Sequence, residues 1–169
     1  MEACMEECAK SFPTLDGICE DYATLRLISP AYAGRDGELT AVLQYVFQAI
    51  VFGNCGERKI ANTIMKIAVE EMHHMEILGS LICKLGAAPV LTACPPYPVG
   101  YYSASSVNYV RGTRQMLCAD ICAEENAICG YEHILCHIQN GRVAEIIARI
   151  LEDERRHLKL LNQMLCSLS

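Results

Sequence analysis

Two copies of one pattern constrain this chain more than anything else in it: a glutamate and a histidine three residues apart, set into an apolar helical stripe. The first copy is Glu71 and His74 in VEEMHHMEILG, and the second is Glu154 and His157 in LEDERRHLKLL. Around the first, Ile60, Ile64, Ile67, Leu78, Leu81 and Leu85 recur in alternating steps of four and three. Around the second, Val143, Ile147, Ile150, Leu161, Met164 and Leu168 keep the same rhythm. That period marks one face of a bundle helix, so each Glu and His points where the leucines point. A carboxylate or imidazole buried there without a partner is costly to desolvate, and bound cations are the economical compensation.

Two further segments carry one inward glutamate each. The phase Glu38, Val42, Tyr45, Ala49, Phe52 places Glu38 on an apolar face, and Leu117, Ile121, Glu124, Ile128, Tyr131, Leu135, Ile138 selects Glu124 over Glu125. The halves repeat one another: a Glu, a Tyr seven residues on, then a Glu-x-x-His in the next helix. Residues i and i+3 share a helix face, so one Glu oxygen and one His nitrogen reach the same ion or adjacent ions. Tyr45 and Tyr131, on the same faces, are placed to hydrogen-bond the ligating carboxylates from behind. The pair Glu70 and His73 has identical spacing but shares its phase with Thr63, Lys66, Ser80 and Lys84, so it is expected in solvent. Glu152, Asp153, Arg155 and Arg156 are expected there too. A single Glu-x-x-His is ordinarily an exposed helical ion pair. Four carboxylates crowded into one core are different, because they cannot all ionise without cations.

The order of elements supports a bundle. Helices are expected over about 37–52, 58–85, 107–138 and 142–168, with short Gly-containing turns after the first and third. Between the second and third lies APVLTACPPYPVGYYSASS, a stretch of four prolines without helical period. Short, long, short is the connection pattern of an all-α four-helix bundle with one crossover, about residues 87–106, between its second and third helices. Residues 1–30 form an N-terminal extension with one or two short helices, and 31–169 form the bundle.

Composition narrows the setting. No apolar run approaches the roughly 20 residues of a membrane span, and MEACMEECAK is not a secretory leader, so a cytoplasmic protein is expected. A net charge of −6 argues against nucleic acid as a partner. Eleven cysteines cannot all pair within one chain and read as reduced thiols. Cys4 and Cys8, one turn apart, make an incomplete redox or metal pair. Cys118, Cys122, Cys129 and Cys136 read as small apolar packing residues, and Cys94 as an exposed thiol of the strap. His133 and His137 share a helix face at i and i+4, as a solvated pair, a second metal site or an interface. PPYPVGYY is expected to pack over the bundle or against another subunit.

GELTAVLQY, EEMHHMEILGSLICKLG, EENAICGY and ILEDERRHL together resemble the ferritin-like di-metal carboxylate proteins, most closely the rubrerythrins and manganese-catalase-like proteins, over roughly residues 35–168. The resemblance implies Glu38 and Glu124 as terminal or bridging carboxylates, and Glu71 with His74 and Glu154 with His157 as ligand pairs. It implies two transition-metal ions, iron or manganese, and hydrogen peroxide or dioxygen as substrate, hence a peroxide-removing oxidoreductase. It leaves open a ferroxidase or iron-handling protein, and a non-catalytic bundle holding zinc or nothing. A homo-oligomer, dimer or higher, and a separate electron donor such as rubredoxin are further implied partners. The chain departs from rubrerythrins in lacking their extra helix-3 glutamate, whose place holds Ala127 or Ile128. It also lacks the paired Cys-x-x-Cys iron ligands.

Overall fold

In the computed structural model, residues 11–95, 97 and 100–168 are described; Cys4 and Cys8 lie outside them. Among the described residues five α-helices form: α1 (Tyr22–Ala33), α2 (Glu38–Asn54), α3 (Arg58–Lys84), α4 (Thr113–His137) and α5 (Gly141–Cys166). Among the described residues no strand forms, and one isolated bridge pairs Thr92 with Tyr101 in the crossover. No helix among them is long and apolar enough to cross a membrane.

α2 to α5 make the four-helix bundle. Contacts between Glu38 and Tyr131 and between Tyr45 and Glu124 show α2 and α4 antiparallel. Contacts of His74 with Asp153 and of Glu70 with His157 show the same for α3 and α5. Because α2 and α3 form a hairpin, α3 and α4 run parallel, and the crossover carries the chain back along the bundle. α1 is the extension's helix. Asp21 caps it by accepting from the backbone N–H of Ala23 and Thr24, and the helix passes through Pro30, across the boundary expected at residue 30. It buries Leu25 and Ile28 in the same apolar cluster as Leu78, Leu81 and Ile147, so extension and bundle share one core.

One expected boundary moves. α4 begins at Thr113, not near residue 107, because the chain first makes a single 3-10 turn at Ala104–Ser106 and then runs extended. Gly112 lies at φ +94°, a left-handed conformation that starts the helix where a side chain would be strained. The strap is tied down by the Asn108 backbone N–H, which donates to Gln44 Oε1 at 3.0 Å. Tyr97 and Tyr101, expected to pack over the bundle, stand 68% and 64% exposed.

The core is split. One apolar cluster gathers Leu78, Leu81, Ile146, Ile147 and Ile150 with α1, and a second gathers Ala49, Phe52, Ile64, Ile67, Leu117 and Leu161. Along α3 and α5 the residues between the two clusters are the Glu-x-x-His segments. A polar layer therefore lies between two dry ones.

Candidate metal centre

Each ligand candidate reaches the layer by its place on its helix. Glu38 is the first residue of α2. It is aimed inward by the Gly34–Gly37 turn, where a Cβ on Gly37 would lie 2.6 Å from the Pro30 and Ala31 carbonyl oxygens. Its charge faces the favourable, positive end of the helix dipole. Glu71 and His74 come from mid-α3, Glu124 from mid-α4, and Glu154 and His157 from mid-α5. All four carboxylates and both imidazoles are between 1% and 4% exposed, a degree of burial that charged groups reach only with partners.

Two four-residue groups form: Glu38, Glu71, His74 and Glu154, and Glu71, Glu124, Glu154 and His157. Within each group one ligand atom per residue lies within 4.8 Å of all the others. Glu71 and Glu154 belong to both groups, whereas Glu38 and Glu124 belong to one each. Overlapping groups of this kind could hold two adjacent cations with two carboxylates in common.

The imidazoles are oriented alike. His74 Nδ1 lies 2.9 Å from Glu71 Oε2 and 3.0 Å from Glu154 Oε1, while its Nε2 faces Asp153 Oδ2 at 3.3 Å. His157 Nδ1 lies 2.9 Å from Glu71 Oε1, while its Nε2 meets Glu70 Oε2 at 2.7 Å. With a carboxylate accepting from Nε2–H, Nδ1 is the nitrogen turned into the layer, free to bind a cation once it has lost its proton. Glu71 Oε1, Glu124 Oε2, Glu154 Oε1 and His157 Nδ1 are buried and make no aligned hydrogen bond, although His157 Nδ1 approaches Glu71 Oε1 and His74 Nδ1 approaches Glu154 Oε1 at ion-pair distance. Inward atoms left in this way fit a cation, and oxygen with imidazole suits manganese, iron or zinc better than calcium or magnesium.

Charge balance without cations is instructive. Burial, then the charges of Glu71 and Glu154, pushes the Glu38 carboxyl well above the usual range; burial, then Glu154 and Glu71, does the same to Glu124. Burial also opposes ionisation of Glu71, but the neighbouring His157 and His74 outweigh it and hold that carboxyl low. Burial alone would drive both imidazoles neutral. Asp153, Glu154 and Glu71 around His74, and Glu71, Glu154 and Glu70 around His157, pull them upward instead. Without cations the layer would be neutralised by protons, which arriving cations would displace.

The tyrosines act across the repeat. Tyr45 donates to Glu124 Oε1 and Tyr131 donates to Glu38 Oε1, so each bonds the lone carboxylate of the other half. Burial raises both phenols well above their ordinary range, followed by the carboxylate each one faces.

Two expectations about charged neighbours are corrected. His73 is exposed, with Glu76 at 3.5 Å and the Phe12 ring edge-on at 5.3 Å, but Glu70 is half-buried on His157. Asp153 is 5% exposed rather than solvated. Arg156 bonds both Glu70 and Asp153, and Arg149 Nη1 lies 2.6 Å from Asp153 Oδ2. Helix phase misplaced these residues because partners on the facing helix, His157 and Arg156 for Glu70 and His74 for Asp153, draw the flank beside the central stripe inward. The repeat did carry a signal: an acid precedes the motif glutamate in both copies, Glu70–Glu71 and Asp153–Glu154. A buried group of Gln44, Gln48 and Asp120 also escaped the sequence reading. Both amide groups donate to Asp120 Oδ1, at 2.9 and 2.7 Å, and burial raises the Asp120 carboxyl to about 7.

The cysteine stripe is a third correction. Cys118, Cys122, Cys129 and Cys136 are exposed, because their phase on α4 lies away from Leu117, Glu124 and Tyr131. Cys94 is exposed, as expected.

A cavity of about 1100 Å³ opens between α2 and α4 and reaches Glu38, Tyr45, Glu124, Tyr131 and Glu154. The layer is thus accessible from one side of the bundle.

Residues 20–92, spanning α1 to α3, match the family model of manganese-containing catalases. Two crystal structures of KatB, a manganese catalase from Anabaena, superpose on the chain with TM-scores of 0.77 and 0.79. They share 23% and 24% sequence identity with it, and the match covers 94% of this chain and 78% of each KatB chain. The fold is that of a manganese catalase. Among curated proteins none matches the sequence. The manganese-catalase fold is a ferritin-like helical bundle, and here it brings together all six residues expected as ligands.

Proposed function

We propose that this protein removes hydrogen peroxide at a pair of manganese ions. Glu38, Glu71, His74 and Glu154 hold one ion, and Glu71, Glu124, Glu154 and His157 hold the other. The observation that carries the reading is the sharing of Glu71 and Glu154 by two buried four-ligand groups. The match to manganese-containing catalases over residues 20–92 favours manganese over iron. Disproportionation of two peroxides into two waters and one dioxygen also needs no external reductant. That suits a chain without paired Cys-x-x-Cys iron ligands.

The metal pair supplies the electron transfer when bound. The chain supplies position and dryness. Asp153 and Glu70 accept from the Nε2–H of His74 and His157 and keep Nδ1 turned inward. Tyr45 and Tyr131 hold Glu124 and Glu38 toward the layer, and the cavity between α2 and α4 admits a small neutral substrate. The apolar clusters on either side keep bulk water from competing for the carboxylates.

Elemental mass spectrometry on protein from its native source is expected to find about two manganese ions per chain, as in two-metal sites generally. An oxygen electrode should then record dioxygen release from peroxide with no reductant present. An iron-filled protein that consumes peroxide only with a reductant would replace this reading with a peroxidase. Zinc alone, with no turnover, would replace it with a structural bundle.

A further inference from the structure

The seam between α2 and α4 holds a buried carboxyl that the metal layer does not use. Asp120 is fully buried, and the bonds it receives come from two neutral amides, Gln44 Nε2 at 2.9 Å and Gln48 Nε2 at 2.7 Å. Both donate to Oδ1. Asp120 Oδ2 is left without a partner, and so is Gln48 Oε1, although neither residue has exposed surface. An unmet carboxylate oxygen is costlier here than an unmet neutral one, because its charge must be desolvated as well. No cation offsets that cost. Among the described residues no ion pair reaches Asp120 from α2, α3, α5 or the crossover, and the ionisable group that feels its charge is the Tyr45 phenol.

The two unmet oxygens complement each other once a proton is counted. A carboxylic acid donates from its hydroxyl and accepts at its carbonyl, and a primary amide offers the matching acceptor and donor. Oδ1 already takes two amide donors, so the proton belongs on Oδ2. Gln48, bonded to Oδ1 through its nitrogen, carries the unfilled acceptor on the same amide. Gln44 does not, because its Oε1 accepts from the Asn108 backbone N–H at 3.0 Å. Burial acts in the same direction and outweighs the two amide bonds, raising this carboxyl to about 7.

We propose that Asp120 is a neutral carboxylic acid that donates from Oδ2 to Gln48 Oε1 and, through Gln44 and Gln48, pins α2 to α4 beside the metal layer. Asp120 is thereby a positioning residue, a role that rests on the proposed function. It lies one turn before Glu124 on α4, while Gln44 and Gln48 lie on either side of Tyr45 on α2. The pin therefore sets the separation across which Tyr45 donates to Glu124. Gln44 also ties the strap to α2 through Asn108, and both residues line the cavity that leads to the layer. A neutral pin adds no further negative charge beside the four carboxylates.

Isotope-edited infrared spectroscopy tests the proton, on full-length manganese-loaded protein whose aspartate side-chain carboxyl carbons are carbon-13. A protonated carboxyl absorbs well above the carboxylate bands, and the label separates aspartate from glutamate. At about pH 5, where an ordinary aspartate is mostly ionised, a label-shifted acid band is expected. It should be absent from Asp120→Asn and should fade in the parent as pH passes about 7. Asp120→Ala removes the pin, and turnover should fall by about tenfold, the order expected for lost support of a metal ligand. Asp120→Asn presents an N–H where the acid has its O–H, and should rescue most of that loss. The proposal is overturned if the parent shows no acid band, or if the band survives in Asp120→Asn. Asp120→Asn no more active than Asp120→Ala also overturns it, since the charge would then be the working feature. The band is read in the parent, so it decides even where Asp120→Ala folds poorly. It also needs no turnover: an acid band in a protein inert toward peroxide would sink the proposed function and uphold the acid.

Discussion

The two sides of the bundle are built from the same repeat and do different work. Where α3 faces α5, the side is closed. Both histidines and both shared carboxylates come from it, and behind them Glu70, Asp153, Arg149 and Arg156 form a continuous charged clamp. Where α2 faces α4, the side is open. The helices there are held across a cavity by Tyr45 on Glu124, Tyr131 on Glu38, and Gln44 and Gln48 on Asp120. Rigid support lies opposite the entrance, so substrate can enter without disturbing the groups that fix the imidazoles. A pseudo-twofold sequence repeat thus yields an asymmetric site, because ion pairs close one pair of faces and a cavity opens beside the other.

The largest effect should come from the shared carboxylates of the closed side. Glu71→Ala combined with Glu154→Ala removes a ligand from both cation positions. Manganese content should fall to background with peroxide turnover abolished; a metal-replete, active double variant would sink the assignment. Asp153→Asn and Glu70→Gln test the clamp. Each should lower metal affinity or turnover by roughly 10–100-fold, and the deeper Asp153 should cost more. Equal, negligible effects in a titration with manganese would mean that the clamp serves folding alone.

On the open side, Tyr45→Phe and Tyr131→Phe each remove a hydrogen bond to a charged acceptor, worth about 1.5–3 kcal/mol. Turnover should fall more than metal content does, because Glu124 and Glu38 each serve one position. Equal losses of metal in these variants and in the clamp variants would erase the distinction between the two sides. Chelation should lower the melting temperature, since cations bind the folded chain and not the unfolded one. Calorimetry with and without a chelator reads that shift directly.

The most specific effect concerns pH and leaves the metal centre untouched. Burial raises the Asp120 carboxyl from 3.8 to about 7, so between those values the folded chain holds a proton that the unfolded chain has lost. Stability from this group therefore falls as pH rises through about 4 to 7 and is level above that. Asp120→Asn removes this dependence. Relative to the parent, the variant should gain stability from pH 5 to pH 8, by on the order of 3 kcal/mol at most. Urea unfolding at the two pH values measures the difference, and a parallel response of the two proteins would contradict it.

Helical phase alone brought out the six candidate ligands, since a Glu or His at a stripe position must face whatever the leucines face. The long unpatterned connection likewise dictated a crossover. Residues on the flank of a stripe were not legible in this way. Glu70, Asp153 and Arg156 are ordinary surface charges by phase, and Asp153 is buried and the other two half-buried only because they pair with one another and with the histidines across α3 and α5. The α4 cysteines failed in the opposite sense: composition suggested core, and the rotation of α4 turned them outward.

By itself the sequence determined the helices, their inward faces and the repeat, because each of these follows from local periodicity. Only the tertiary structure decided which carboxylates are shared, which oxygen each tyrosine holds, and which nitrogen of each histidine faces the layer. It also decided on which side the layer opens. Those features depend on distances between helices remote in sequence, and packing sets such distances where no local pattern records them.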